Sequence, residues 1–186
     1  MKGWIYRYRA GFFRMFLVTV LISKYLSGKS LLIREWVVLC AILWMCVLFR
    51  VWCAGFLDDA CDPTEHGRRL ITSGPYSYVR NPLYFATFVM GMVYVIMSGI
   101  VYAMLVWIIY FVVLYDRIVV QYEEEFLETR FGDEYREYRK SVPRYLPLRL
   151  GRWKGGAGQF RLKEGVRNEI STFVETAGLS FGFLLA

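Results

Sequence analysis

The sequence predicts an all-α integral membrane protein of about four transmembrane helices, a tight helical hairpin among them. Hydrophobic residues make up 56% of the chain, above the roughly 45–50% usual in soluble domains, and the mean hydropathy is +0.35. From Leu83 to Tyr115 the chain runs 33 residues without Asp, Glu, Lys, Arg or His. At 186 residues it has room for one domain, or a domain with an appendage. With 21% charged and 18% aromatic residues, disorder, coiled coil and a repeat solenoid are poor readings.

The elements follow in order. The first span, Phe12 to Leu26, carries Arg14 and Lys24 near its ends, so an interfacial helix stays open as an alternative. The second, Trp36 to Leu57, is apolar except for Arg50. A span needs roughly 20 apolar residues, so the uncharged run is too long for one crossing and suits two. Ser98-Gly99 supplies a turn in its middle, which divides it into arms of about Leu83–Met97 and Ile100–Val119. Polar segments at 58–82 and 120–150 follow the second and fourth spans, and 151–186 forms an appendage. In the appendage a basic, glycine-rich stretch reads as flexible, with Trp153 and Phe160 available to headgroups. Asn168 is a candidate cap for a last amphipathic helix with Ile170, Phe173, Val174 and Ala177 on one face.

Charge sets the expected orientation. Four basic residues, Lys2, Arg7, Arg9 and Arg14, precede or open the first span; three lie in the 58–82 segment and twelve from Arg117 onward. The opposite loops hold only Lys24, Lys29 and Arg34. Both termini and both polar segments are therefore expected in the cytoplasm, and the formal +7 becomes a basic face suited to anionic lipid headgroups. No nucleic-acid reading motif accompanies the charge, so the bilayer is the expected partner and nucleic acid is not.

Cys40, Cys46 and Cys53 stand six and seven apart on one predicted helix, and Cys61 stands alone. Without a C-x-x-C pair, and with His66 the single histidine, free thiols are expected and no metal site.

The polar chemistry lies in two stretches. One ends L-I-T-S-G-P-Y-S-Y-V-R-N-P-L-Y at Tyr84, with turn signals at Gly74-Pro75 and Asn81-Pro82. The other runs from Glu123-Glu124-Glu125 through R-F-G-D-E-Y to V-P-R-Y-L-P, ending at Pro147. Both emerge from the same hairpin, so they can meet in space.

This pair of motifs resembles the isoprenylcysteine carboxyl methyltransferase family and its prokaryotic relatives and, more loosely, phospholipid N-methyltransferases. The resemblance covers roughly Arg68 to Pro147. It implies a methyltransferase of a prokaryotic cytoplasmic membrane that uses S-adenosylmethionine, releases S-adenosylhomocysteine, and acts on a lipophilic or membrane-partitioned acceptor. Carried over, the cofactor cradle is Leu70, Ile71, Gly74, Tyr76, Asn81, Pro82, Leu83, Tyr84 and Glu123, the last lying nine residues before Gly132. Asn81 stands where the family often has His, and Arg68 likewise. An amide exchanges hydrogen bonds but does not titrate near neutral pH, so a catalytic role for Asn81 is one of hydrogen bonding. The family often places an arginine four before its glutamate, where this chain has Val119. Arg117 lies six before, about 120° around a helix, so it either meets an anionic acceptor from a shifted angle or snorkels beside Asp116.

The residues suit that chemistry. Methyl transfer from a sulfonium is an in-line displacement that asks for alignment and exclusion of water. A carboxylate at Glu123 can accept hydrogen bonds from hydroxyl or amino groups, and Tyr76 and Tyr84 can offer electron-rich faces to positive sulfur. Glu124 and Glu125 read as a solvated helix end. Two alternatives have other signatures. Sterol reductases, which use NADPH, have a related Pro-x-Tyr turn but follow it with a small residue, Gly and Glu, where this chain has Phe85-Ala86-Thr87. A non-enzymatic scaffold would rest on hydropathy alone.

Overall fold

The computed structural model describes residues 2–28, 31–57, 69–147, 153, 156 and 158–185. Six helices dominate: α1 (Lys2–Ser27), α2 (Ile33–Ala54), α3 (Pro82–Ser98), α4 (Tyr102–Phe131), α5 (Asp133–Ser141) and α6 (Leu162–Leu185). A 3-10 turn covers Gly74–Ser77, and no strand occurs among the described residues. Three helices, α1, α2 and α4, are long and apolar enough to cross a membrane, and α3 is a shorter apolar helix. The chain is an integral membrane protein.

Helix α1 begins well before Phe12, because basic residues end a hydropathy window without ending a helix. Arg9 lies 3.9 Å over the Tyr6 ring and donates to the Tyr6 carbonyl at 2.8 Å, so its charge is held along the helix. The hairpin turns where expected. Ser98 Oγ donates to the Val95 carbonyl at 2.6 Å and accepts from the Ile100 amide at 3.3 Å, which closes the corner at Gly99. Helix α4 does not stop at Val119. Nothing from Tyr102 to Phe131 breaks a helix, so it continues until Gly132, whose φ of 54° ends it. Its middle, Phe111–Val120, is wound as a π-helix, a rare form found mostly as short bulges.

The chain forms two compact units, one of Met1–Val47, Thr87–Val119 and Ser171–Ala186, the other of Leu48–Ala86 and Val120–Ile170. The first has an aromatic core. Trp107 is fully buried, its indole N–H donates to the Phe88 carbonyl at 3.0 Å, and Phe16 and Tyr110 lie 4.8 and 5.6 Å from its ring. Gly91 makes room for it: a Cβ there would sit 2.2 Å from the indole. The second unit centres on Leu70, Tyr135, Tyr138 and Val142, with Leu127, Phe131 and Trp153 packed against them. Trp153 is thus turned into this cluster, with its ring 5.8 Å from Tyr138.

The described cysteines Cys40, Cys46 and Cys53 form no disulfide, and Cys61 lies outside the described residues, as do His66 and Arg68.

Candidate functional site

The second unit contains every residue of the expected cofactor cradle, from Leu70 to Tyr84 together with Glu123, whereas Arg117 belongs to the first. Sequence order alone separates the two stretches by some forty residues; main-chain hydrogen bonds bring them together. The Arg80 amide donates to the Pro143 carbonyl at 2.9 Å and the Asn81 amide to that of Arg144 at 3.0 Å. The Trp153 amide donates to the Ser77 carbonyl at 3.1 Å, and Tyr138 donates its hydroxyl proton to the Tyr76 carbonyl at 2.7 Å. A loop without regular structure is buried here because its polar groups find partners.

At the centre of this clamp is Glu124, the middle of the three glutamates. Its Oε1 accepts from Arg80 Nε at 3.1 Å, Asn81 Nδ2 at 3.2 Å and Arg144 Nε at 3.3 Å, while Oε2 accepts from Arg144 Nη2 at 2.6 Å. Its side chain is 5% exposed and that of Arg80 10%. Arg80 also donates to the carbonyls of Arg139 and Val142 at the end of α5, where a helix leaves acceptors unfilled. The carboxylate therefore fastens the R-N-P-L-Y turn to α4 and to the V-P-R-Y segment. Sequence reasoning gave Glu124 to solvent. Successive helix residues point about 100° apart, so of three adjacent glutamates only the packed structure selects the buried one. The available signal was Arg80, two residues before Pro82, and Arg144, next to Pro143.

Glu123 is half-buried and Glu125 exposed. Leu70, Ile71, Tyr76 and Asn81 are buried, Pro82 is the first residue of α3, and Leu83 and Tyr84 are half-buried. Beside the glutamates, Tyr135 is 1% exposed, with its hydroxyl buried and no hydrogen-bond partner among the described residues. Burial, followed by the field of Glu124, pushes its pKa well above the ordinary phenol range, and burial does the same to Tyr138. Both stay neutral; Tyr138 spends its proton on the Tyr76 carbonyl, and Tyr135 keeps its own unspent.

A third anchor is Arg50, the one charge in the second predicted span. It grips Glu169 with two bonds, Nε to Oε2 at 2.7 Å and Nη2 to Oε1 at 2.8 Å, and donates through Nη1 to the Leu83 carbonyl at 3.1 Å. The turn thus rests on Arg50 as well as on Glu124. Arg117 faces outward, its side chain 76% exposed and 3.6 Å from Asp116. Among the described residues no group of His, Cys, Asp and Glu is arranged to hold a metal ion.

Gly74 opens the 3-10 turn at φ 59°, and a Cβ there would come within 2.4 Å of the Phe56 ring. Gly74→Ala combines left-handed strain with overpacking, so a loss of about 1–3 kcal/mol is expected in thermal unfolding of detergent-solubilised protein. Adding Phe56→Ala should recover the steric part. An unchanged midpoint in Gly74→Ala would contradict the geometry.

Fold and site together define an all-helical integral membrane protein with a buried ionic clamp between its polar loop and the end of a long helix. The profile of the Ergosterol biosynthesis ERG4/ERG24 family matches residues 60–149. Among individual proteins, the cobalt-zinc-cadmium resistance protein CzcN of Cupriavidus metallidurans is 31% identical over 163 residues, covering 83% of this chain and 70% of CzcN. The nickel-cobalt-cadmium resistance protein NccN of Alcaligenes xylosoxydans xylosoxydans is 25% identical over 79% of this chain and 68% of its own. The protein-S-isoprenylcysteine O-methyltransferase of Schizosaccharomyces pombe is 35% identical over 80 residues, 42% of this chain and 33% of that enzyme. No solved structure matches. On the extent and identity of the first match, the chain belongs to the same family as CzcN.

Proposed function

We propose that the chain is an S-adenosylmethionine-dependent integral membrane methyltransferase that methylates a lipophilic or membrane-partitioned acceptor. The observation that carries this reading is the clamp itself: the S-G-P-Y and R-N-P-L-Y turns are held against the glutamate segment of α4 within one unit, as a shared cofactor site requires. The likeness of part of the chain to an isoprenylcysteine O-methyltransferase supports it. The residues present also suit the cofactor. Leu70 and Ile71 offer apolar surface, Glu123 a carboxylate for hydroxyl or amino groups, and the buried Tyr135 hydroxyl an unspent donor. Bound there, the cofactor would supply a methyl group on a positively charged sulfur. The chain's own part is to align the two reactants and keep water out.

In this reading the Lys2 end of α1 and the polar segments flanking the α3–α4 hairpin face the cytoplasm, following the basic residues. The polar cofactor enters from that side, between the Gly74–Tyr84 loop and the 122–147 segment, because its charges do not cross hydrocarbon cheaply. An acyl or prenyl acceptor gains about 0.8 kcal/mol per methylene kept from water and arrives from the bilayer. For an anionic acceptor, Arg117→Ala is expected to raise the acceptor concentration needed and to leave cofactor affinity unchanged.

The match to the ERG4/ERG24 family over residues 60–149 favours a second reading, an NADPH-dependent membrane reductase. Binding to the purified protein in detergent separates the two. S-adenosylmethionine and S-adenosylhomocysteine are expected to bind and NADPH is not; NADPH binding without either sulfur ligand would overturn the methyltransferase reading.

A further inference from the structure

We infer that α6 is a further membrane-embedded helix, that its outward apolar stripe is a contact surface for lipid acyl chains, and that its Leu185 end emerges on the side opposite the Lys2 end of α1. The inference is independent of the chemistry proposed above.

The sequence groups Ile170, Phe173, Val174 and Ala177 on one face of an amphipathic helix and leaves open whether it spans the membrane or lies at its surface. The structure turns most of that face outward. Gly165, Glu169, Thr176, Ser180 and Phe183 are buried, at helical spacing, while Ile170, Val174, Phe181 and Leu185 are each 60% exposed or more. A helix lying against a protein in water hides its apolar stripe and shows its polar one. Apart from Phe183, small and polar groups face the protein, and large apolar ones face out, the arrangement of a helix whose solvent is hydrocarbon.

Two carboxylates of α6 are paired, and their partners are charges that interrupt the apolar spans. Glu169 holds Arg50 of α2, and Glu175 accepts from Arg14 of α1 at 2.7 Å. The carbonyl of Ser180 accepts from the indole of Trp36 at 2.9 Å. Charges within a span are costly unless paired, so α6 supplies the counter-ions that let Arg14 and Arg50 lie where they do.

The order of contacts gives the direction. Gly165 backs onto the carbonyl of Val51, where a Cβ would come within 2.4 Å. Glu169 then meets Arg50, Phe173 lies 5.8 Å from Trp44, and Ser180 meets Trp36. Within the first unit α6 ascends from 173 to 180 as α2 descends from 44 to 36, so the two helices run antiparallel there. Against α1 the order is parallel, Glu175 with Arg14 and Gly182 with Leu21. A helix that runs with one spanning helix and against another along this length crosses as they do. The flanking charges agree: Arg161, Lys163 and Arg167 cluster at one end, and no Lys or Arg occurs from Asn168 to Ala186. The inference departs here from the charge-based expectation that both termini lie on one side, and the labelling below decides between them.

The test uses single cysteines at Lys163, Val174 and Leu185 in a chain whose native Cys40, Cys46, Cys53 and Cys61 are replaced by alanine. The probe is a membrane-impermeant maleimide on sealed cells. Leu185→Cys and Lys163→Cys are expected to label from opposite sides, one only after permeabilisation, and Val174→Cys only in detergent. Labelling of positions 163 and 185 from the same side, or of Val174→Cys in intact membranes, would overturn the inference. Disulfide-linked dimers through Val174→Cys would assign the stripe to a second copy instead of lipid. If the cysteine-free chain does not accumulate, alkaline phosphatase and green fluorescent protein fused after Leu185 of the native chain read the same sidedness. Active phosphatase with a dark fluorescent protein is expected, and the reverse overturns the inference.

Discussion

Glu124→Gln is expected to lower stability by about 3 kcal/mol or more, because removing one partner of a buried ionic cluster leaves the rest uncompensated. Two guanidinium groups and the Asn81 amide converge on this carboxylate, and glutamine keeps its shape while removing its charge. Arg144 is 29% exposed and regains some water, which discounts its share, whereas Arg80 is nearly sealed. The loss should reach the turn as well as the helix, because Asn81 and Arg80 precede α3 directly. Thermal unfolding in detergent checks this, with Glu125→Gln as the control, since an exposed substitution is expected to stay within about 0.5 kcal/mol. Equal midpoints for the two variants would show that the cluster carries no stability.

Much of this architecture was legible before the structure because it depends on local or averaged properties. The uncharged run from Leu83 to Tyr115 required a hairpin, and Ser98-Gly99 supplied its corner; neither needed a distant partner. The R-N-P-L-Y and triple-glutamate stretches were legible as motifs, and the hairpin between them explained how they could meet. Which glutamate turns inward was not legible, because Glu124 is fixed by Arg80 and Arg144, 44 and 20 residues away. The outward face of α6 was hidden for the same reason. Its buried side is defined by Arg50 and Arg14, more than a hundred residues distant, and an amphipathic pattern does not say whether water or lipid lies outside. Helix ends were displaced wherever charge was taken for a boundary: α1 starts at Lys2 and α4 runs to Phe131, because only the backbone break at Gly132 stops it.

The functional reading turns on the neighbouring residue. Glu124 is engaged by two arginines and an amide, which leaves it no charge to spend on a ligand, and Glu123 is its half-buried neighbour on the same helix turn. If Glu123 binds the cofactor's hydroxyl or amino groups, Glu123→Gln removes charge-assisted hydrogen bonds worth roughly 1.5–3 kcal/mol and weakens S-adenosylmethionine binding by about one to two orders of magnitude. The midpoint of unfolding is measured beside it, so that a loss of affinity is told apart from a loss of fold. Glu125→Gln should change neither quantity, because its side chain is exposed. Titration of the three purified variants with S-adenosylmethionine, beside their thermal unfolding, therefore separates a ligand-binding carboxylate from a structural one and from a solvated one. Equal cofactor affinity in Glu123→Gln and Glu125→Gln would remove Glu123 from the site, and with it the order of roles along these three residues.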